Sequence, residues 1–102
     1  MSNADFGPYL EMIRKRVQSV WKYPAGISGS HQVNIVFVID RSGNLAQARV
    51  VDSTSRSLND SALQAMKLAS PFPPIPDGLK ELAGTPVRVR FHIDFGISAS
   101  RQ

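Results

Sequence analysis

The chain has 102 residues, the length of a single modest domain, and it contains no cysteine, which excludes a disulfide framework and a thiolate metal site. Its formal net charge is +4, a mild excess that bears on solubility and association but not on fold. No apolar run approaches the ~20 residues that span a bilayer, so the sequence contains no candidate transmembrane helix.

The first four residues read MSNA, an initiator methionine followed by small and polar residues. We interpret residues 1–4 as an expression scar and assign the domain to residues 5–102. We therefore expect the chain to be a fragment of a longer protein, whose membrane anchor or signal, if it has one, lies outside these residues.

The first predicted element is an amphipathic helix over residues 8–21. Pro8 suits the first helical position, and apolar side chains recur behind it at helical spacing, namely Leu10, Ile13, Val17, Val20 and Trp21. Tyr23 and Pro24 end the helix, and residues 26–30, GISGS, form a flexible connection. We interpret Trp21 as a core anchor because it continues the apolar stripe.

Two strands follow, joined by a short hairpin loop. Residues 33–40, VNIVFVID, carry apolar side chains on both faces, which is typical of a strand inside a sheet. The loop RSGN contains Gly43, which can take the positive φ of a hairpin turn. Residues 45–51 alternate small or apolar side chains with polar ones and form the second strand.

A second helix begins at Ser57, where S-L-N-D matches a capping box in which Asp60 bonds back to the helix N-terminus. Ser70-Pro71 ends this helix. Residues 70–79, SPFPPIPDGL, then contain four of the seven prolines. Since each proline lacks an N–H and fixes φ near about −65°, this segment is an extended, polyproline-like strut. Its only large apolar side chains, Phe72 and Ile75, are expected to pin it to the second helix.

The last predicted strand, residues 87–97, follows a short turn-like or helical piece and has the most regular pattern in the chain. Apolar side chains occupy the odd positions: Val87, Val89, Phe91, Ile93, Phe95 and Ile97. Polar side chains occupy the even positions: Arg88, Arg90, His92 and Asp94. This alternation predicts a half-buried strand.

Together these elements predict an α+β domain of order α-β-β-α-β with a three-stranded antiparallel sheet. The first strand is placed at the centre because both of its faces are apolar, which gives the strand order 2-1-3, with a right-handed crossover to the last strand. Both helices are expected to cover the face that bears Phe37, Phe91 and Phe95. The third strand is then a long edge, which is either protected from pairing by its charges or kept open for an incoming peptide strand.

The sequence offers little for catalysis, and no catalytic residue, metal site or cofactor is predicted. His31 and His92 are far apart in the sequence, without the spacing of a metal site. No serine stands in a G-x-S-x-G elbow with a base and an orienting group. His92 and Asp94 share a strand face, where a solvated surface is the simpler interpretation. We therefore expect neither hydrolase nor metal-dependent activity.

Nucleic-acid binding is an alternative function. Residues 26–29 formally read GxxG, the loop by which KH domains clamp a nucleic-acid backbone. Basic residues lie nearby in the sequence, namely Arg14, Lys15, Arg16 and Lys22. In KH domains that loop joins two helices, whereas a strand pattern follows it here. The simpler interpretation is a polar helix face and a flexible turn.

An ordered set of short motifs resembles a known family. W-x-Y-P (Trp21, Tyr23 and Pro24) ends the first helix, and V-V-x-S-T-S, L-x-D-x-A-L and A-S-P-F-P-P-I-P cover residues 50–55, 58–63 and 69–76. From residue 9 to residue 95 the chain resembles the C-terminal domain of the TonB/TolA energy-transducer family. The full helix before W-x-Y-P is TolA-like, and the eight residues between Pro24 and Val33 are fewer than in the best-known TonB domains.

The resemblance implies a non-enzymatic periplasmic domain of a protein anchored in the inner membrane. Such a domain grips a partner and transmits force that inner-membrane motor proteins derive from the proton gradient. The implied partner is the TonB box of an outer-membrane receptor or a Tol-system protein, with no nucleic acid and no cofactor. A TonB box adds as a strand to the last strand, beside a Tyr-Pro segment. Carried over, the partner-binding residues are Tyr23, Pro24, Val87, Arg88, Val89, Arg90, Phe91, His92 and Ile93.

Overall fold

The computed structural model describes residues 6–95. Helix α1 (Gly7–Val20) is followed by strands β1 (Ser30–Ile39) and β2 (Leu45–Ser53), helix α2 (Ser57–Ala69), a short 3₁₀ helix (Asp77–Leu82) and strand β3 (Val87–Asp94). The predicted order of helices and strands is confirmed. The expression scar at residues 1–4 and the predicted end of the third strand at residues 96 and 97 lie outside the described residues. Within the described part, no helix has the length and apolarity needed to cross a membrane.

The three strands form one antiparallel sheet in the order β2-β1-β3, which confirms the predicted α+β arrangement. β1 is buried on its helix side, and on its other side Val36 and Val38 are half-buried. β1 begins at Ser30 rather than at Val33, because residues 30–32 pair with the end of β3. β2 likewise continues to Ser53, which lies opposite Val33.

The core lies between the sheet and the two helices, which pack on the same sheet face as predicted. Phe37 and Phe91 are fully buried in it, and Phe95 packs at its margin. Trp21 is 6% exposed, and its indole N–H donates to the Ser61 hydroxyl at 3.0 Å. The interpretation of Trp21 as a core anchor is therefore confirmed, and the hydrogen bond ties the end of α1 to α2.

The start of α2 differs from the prediction. Arg56 occupies the capping position, no side chain caps the helix, and Ser57 is already helical. The predicted capping box of Ser57 and Asp60 is therefore wrong. The chain enters the helix through a backbone turn instead, in which the Leu58 N–H donates to the Ser55 carbonyl at 3.1 Å. This turn satisfies one of the N–H groups that a helix start leaves free.

The proline-rich strut is bonded to the β1–β2 turn. The Phe72 N–H donates to the Gly43 carbonyl at 2.8 Å, and the Ile75 N–H donates to the Arg41 carbonyl at 3.0 Å. The side chains of Phe72 and Ile75 are buried in the core, while the prolines around them face solvent. The Tyr9 hydroxyl of α1 donates to the Pro73 carbonyl at 2.6 Å. The strut thus carries the chain from α2 past the hairpin to the start of β3.

The turn that receives the strut is ordered by Asp40 and Gly43. The Asp40 carboxylate accepts the N–H groups of Asn44 and Ser42, each at 2.9 Å. These hydrogen bonds, chiefly the one from Asn44, hold the pKa of Asp40 below its ordinary value. Gly43 has a φ of +95°, and a Cβ at this position would lie 1.9 Å from the Phe72 carbonyl oxygen. Both the turn and the strut therefore require glycine here.

We predict that Gly43→Ala destabilises the domain by more than about 2 kcal/mol, since it adds a backbone clash to an unfavourable positive φ. Gly26→Ala is the matched control, because Gly26 has a φ of +83° but no atom within 4 Å of its added Cβ. Gly26→Ala should cost only the backbone strain, about 1 kcal/mol. Urea unfolding followed by Trp21 fluorescence measures both. Equal losses in the two variants would contradict the close packing of the strut on Gly43.

Candidate partner-binding edge

Strand β3 presents two kinds of side chain, one on each face of the sheet. Its odd-numbered residues are buried against the helices, and its even-numbered residues are exposed on the opposite, helix-free face. The buried set is Val87, Val89, Phe91 and Ile93, and the exposed set is Arg88, Arg90, His92 and Asp94. The side chains that an incoming molecule could touch on this strand are therefore the polar ones.

The backbone N–H and C=O groups of β3 point alternately toward β1 and away from it. The Phe95 N–H donates to the Gly29 carbonyl at 2.9 Å, so the odd-numbered residues point their N–H and C=O groups toward the β1 side. By the same alternation, the outward-pointing groups belong to Arg88, Arg90 and His92. Within the described chain, no strand lies beyond β3 in the sheet. The outer edge of β3 is therefore open to main-chain pairing.

One side chain of the domain already reaches this edge. Arg14 extends from α1 across the ring of Phe91, with its Cζ 5.9 Å from the ring centroid, and its Nη1 donates to the Arg90 carbonyl. Its Nε lies 3.2 Å from Glu11 Oε1, one helical turn earlier, in an ion pair without hydrogen-bond geometry. Arg14 thus occupies one acceptor on the edge where a further strand would pair.

A basic groove runs along the helix-free side of this edge. It has a volume of about 580 Å³ and is lined by Arg14, Asn34, Arg88, Arg90 and His92. Asn34 is the one polar side chain among residues 6–95 that is buried, at 6% exposure, and its Oδ1 accepts a long 3.4 Å hydrogen bond from Arg90 Nε. Neither Arg88 nor Arg90 forms an ion pair within residues 6–95. Among the described residues, the charges of Arg88 and Arg90 in this groove are therefore not balanced by an ion pair, whereas that of Arg14 is paired with Glu11.

An aromatic row lies at the C-terminal end of β3. Trp21 and Tyr23 stack with ring centroids 5.4 Å apart, and Tyr23 meets the edge of Phe95 at 5.1 Å. Tyr23 is 40% exposed, and partial burial raises the pKa of its phenol above the ordinary value. Pro24 follows and is half-buried. The row brings the Tyr-Pro segment beside the last strand although about seventy residues separate them in the sequence.

Of the predicted partner-binding residues, the structure places Tyr23 at the end of β3. It places the exposed side chains of Arg88, Arg90 and His92 along the same edge of the sheet. It directs Val87, Val89, Phe91 and Ile93 into the core, so these residues support the edge from behind. Sequence reasoning did not place Arg14 or Asn34 here. Asn34 is the single asparagine in the apolar run of β1, and this exception to the pattern could have indicated a polar site on the sheet. Nothing in the sequence indicates the contact from Arg14 to Arg90.

The loop that formally reads GxxG connects α1 to β1 and not two helices. His31 lies just after this loop, and both of its ring nitrogens are in hydrogen-bond contact. Nε2 lies 2.9 Å from the Ser28 carbonyl oxygen and Nδ1 lies 3.1 Å from the Thr54 hydroxyl. Among residues 6–95, no three histidine or carboxylate side chains converge as a metal site would require.

Comparison with known proteins identifies relatives of this fold. The chain resembles two solved structures, the TonB C-terminal domain of Helicobacter pylori and a TolA third domain bound to a peptide derived from the N-terminus of TolB. The first has 24% identity and a TM-score of 0.67 over 85% of this chain and 94% of the other. The second has 18% identity and a TM-score of 0.68 over 82% of this chain and 71% of the other.

No curated protein matches the chain. A family model described as the TonB C terminal matches residues 6–91, which covers both helices and all three strands up to Phe91. The fold and the match over most of the sequence agree, and the chain belongs to the TonB C-terminal family.

Proposed function

We propose that this domain is a non-enzymatic protein-binding module of a TonB- or TolA-like energy transducer, which works in the periplasm and grips its partner by strand addition to β3. The partner is an outer-membrane receptor, through its TonB box, or a periplasmic component of the Tol system. The remainder of the transducer is anchored in the inner membrane and couples the domain to a motor driven by the proton gradient.

The observation that carries the proposal is the open outer edge of β3. Three residues of this strand, Arg88, Arg90 and His92, direct backbone groups away from the sheet, and the row containing Tyr23 adjoins one end of the strand. The family match and the structural similarity to a TolA domain bound to a TolB peptide support the same kind of partner. The two candidate partners share one chemistry, an extended peptide strand.

The free energy of such binding is limited. Each backbone hydrogen bond contributes about 1 kcal/mol net, and ordering the peptide backbone costs about 1–2 kcal/mol per residue. These contributions nearly cancel. Side-chain contacts with the groove and with Tyr23 must supply the surplus, so we expect an isolated peptide to bind with modest affinity.

We predict that a bound peptide protects the amides of Arg88, Arg90 and His92 from hydrogen exchange. These N–H groups point outward and exchange freely in the unbound domain, whereas those of Val89 and Phe91 are protected by β1 throughout. The measurement is amide exchange by NMR on the labelled domain with a TonB-box peptide and, separately, with a peptide from the N-terminus of TolB. Whichever peptide protects the outward amides identifies the partner class. Protection confined to β2 or to the outer faces of the helices would exclude β3 as the binding edge.

We also predict that His92→Pro weakens the peptide that binds by at least about five-fold, because it removes one outward donor worth about 1 kcal/mol. Proline is tolerated at the edge of a sheet, and no bond to β1 is lost. His92→Thr is the matched control, since it changes the side chain and keeps the N–H. Titration by fluorescence anisotropy gives the affinities, and amide spectra check that both variants fold. Equal affinity of the two variants would argue against main-chain pairing at this position.

A KH-like nucleic-acid-binding function is separated from this proposal by a salt titration. Binding driven by phosphate contacts loses affinity steeply as salt is added. We expect no tight binding of single-stranded RNA at any salt concentration. Tight, salt-sensitive RNA binding that leaves the amides of β3 unprotected would replace the proposed function.

A further inference from the structure

We propose that the β3 edge selects strands that carry a carboxylate side chain on the helix-free side, opposite Arg90, and that Arg14 switches from the Arg90 carbonyl to this carboxylate when the strand docks. This inference rests on the proposed function, because it assumes that a peptide strand pairs with β3. It adds the chemistry by which one strand is preferred over another.

The first support is the charge of the groove. Arg88 and Arg90 point to the helix-free face, and neither has an ion-pair partner among residues 6–95. The row that crosses the sheet at Arg90 continues through Asn34 to Asp52, so the nearest carboxylate in that row is two strands away. An incoming residue directly opposite Arg90 has its Cβ about 4.5–5.5 Å from that of Arg90, on the same face. A carboxylate there meets an arginine that has no ion pair within the described part of the chain.

The second support is the position of Arg14. Arg14 belongs to α1, on the helix side of the sheet. Its guanidinium nevertheless reaches the outer edge of β3 and lines the groove with Asn34 and Arg90. An incoming strand lies about 4.7–4.9 Å from β3, in the space that this guanidinium occupies. The strand N–H that pairs with the Arg90 carbonyl therefore displaces Arg14. The released guanidinium can bind a carboxylate with two parallel hydrogen bonds.

The same displacement disfavours other strands. A strand with an apolar residue opposite Arg90 removes the hydrogen bond of Arg14 and offers no acceptor in return, and a glutamine there offers only an uncharged acceptor. A strand with a lysine there adds repulsion from two guanidinium groups. Main-chain pairing does not depend on sequence, so this contact with Arg14 and Arg90 supplies a discrimination by charge that main-chain pairing lacks.

The test uses three nine-residue peptides in which serine or threonine alternates with valine, both termini are blocked, and the central residue is Glu, Gln or Lys. At low ionic strength we expect the Glu peptide to bind about five-fold tighter than the Gln peptide and about twenty-fold tighter than the Lys peptide. At about 0.3 M salt these ratios should shrink, because exposed charges are screened. Affinities come from fluorescence anisotropy, and amide spectra report where each peptide binds.

Variants assign the preference to particular groups. Arg90→Gln and Arg14→Gln should each reduce the ratio of Glu to Gln affinity, and Arg90→Glu should reverse the preference in favour of the Lys peptide. Arg14→Gln should leave the Gln peptide bound as well as before or better, since the competing guanidinium is gone. Lys15→Gln, on the same helix, and Arg49→Gln, on the same sheet face two strands away, remove equal charge from exposed positions and should not change the ratio.

Equal affinities for the three peptides, with spectral changes on β3, would overturn the selection by charge and leave strand addition intact. The Lys15→Gln and Arg49→Gln controls could lose the preference for the Glu peptide to the same degree as Arg90→Gln. That result would show that the overall charge of the domain, and not a local contact with Arg90, causes the preference. If a TonB-box or TolB peptide protects the outward amides of β3 and none of these three peptides perturbs them, this inference fails and the proposed function stands. If no peptide of either set perturbs those amides, both fail.

Discussion

The hydrogen bonds between the proline-rich strut and the β1–β2 turn are the constraint on which the rest of the structure depends. Phe72 and Ile75 each donate a backbone N–H to this turn, and their side chains enter the core beside it. Because prolines have no N–H to donate, these two residues are where the segment can be both bonded and buried. The turn can accept them only because Gly43 has no side chain. A surface segment without regular structure is thereby held by two backbone hydrogen bonds and two buried side chains.

The strut determines which strand is left at the edge. It ends at the 3₁₀ helix, and the Gly84 N–H then donates to the Ile39 carbonyl at 2.9 Å, on the side of β1 that β2 does not use. From that point β3 runs antiparallel to β1 through eight paired residues, from Val87 to Asp94. α1 closes the core over β3, with Trp21 edge-on to Phe91 at 5.4 Å. Helix and strut together leave β3 with one side paired and one side open.

Much of this arrangement could be predicted from the sequence, because it follows from local patterns. The two apolar faces of β1 indicate a central strand, and the alternation in β3 indicates which residues are buried. The capping box at Ser57 was wrong because a motif of four residues cannot reveal that the preceding backbone turn already satisfies the helix start. The contact from Arg14 to Arg90 spans 76 residues and depends on how α1 crosses the sheet, so no local pattern indicates it. The edge was predictable from the sequence, and the side chain that covers part of it was not.

The alternating direction of the backbone groups on β3 also has a mechanical consequence. Hydrogen bonds between antiparallel strands lie perpendicular to the strands. A pull along the strand axis would therefore load every bond to a strand added antiparallel to β3 in shear at the same moment, whereas a pull across the axis would break these bonds one after another. The resistance of such a joint depends on the direction of tension more than on its equilibrium affinity. A weakly bound peptide can thus hold under load if it is drawn lengthwise and still detach easily from one end.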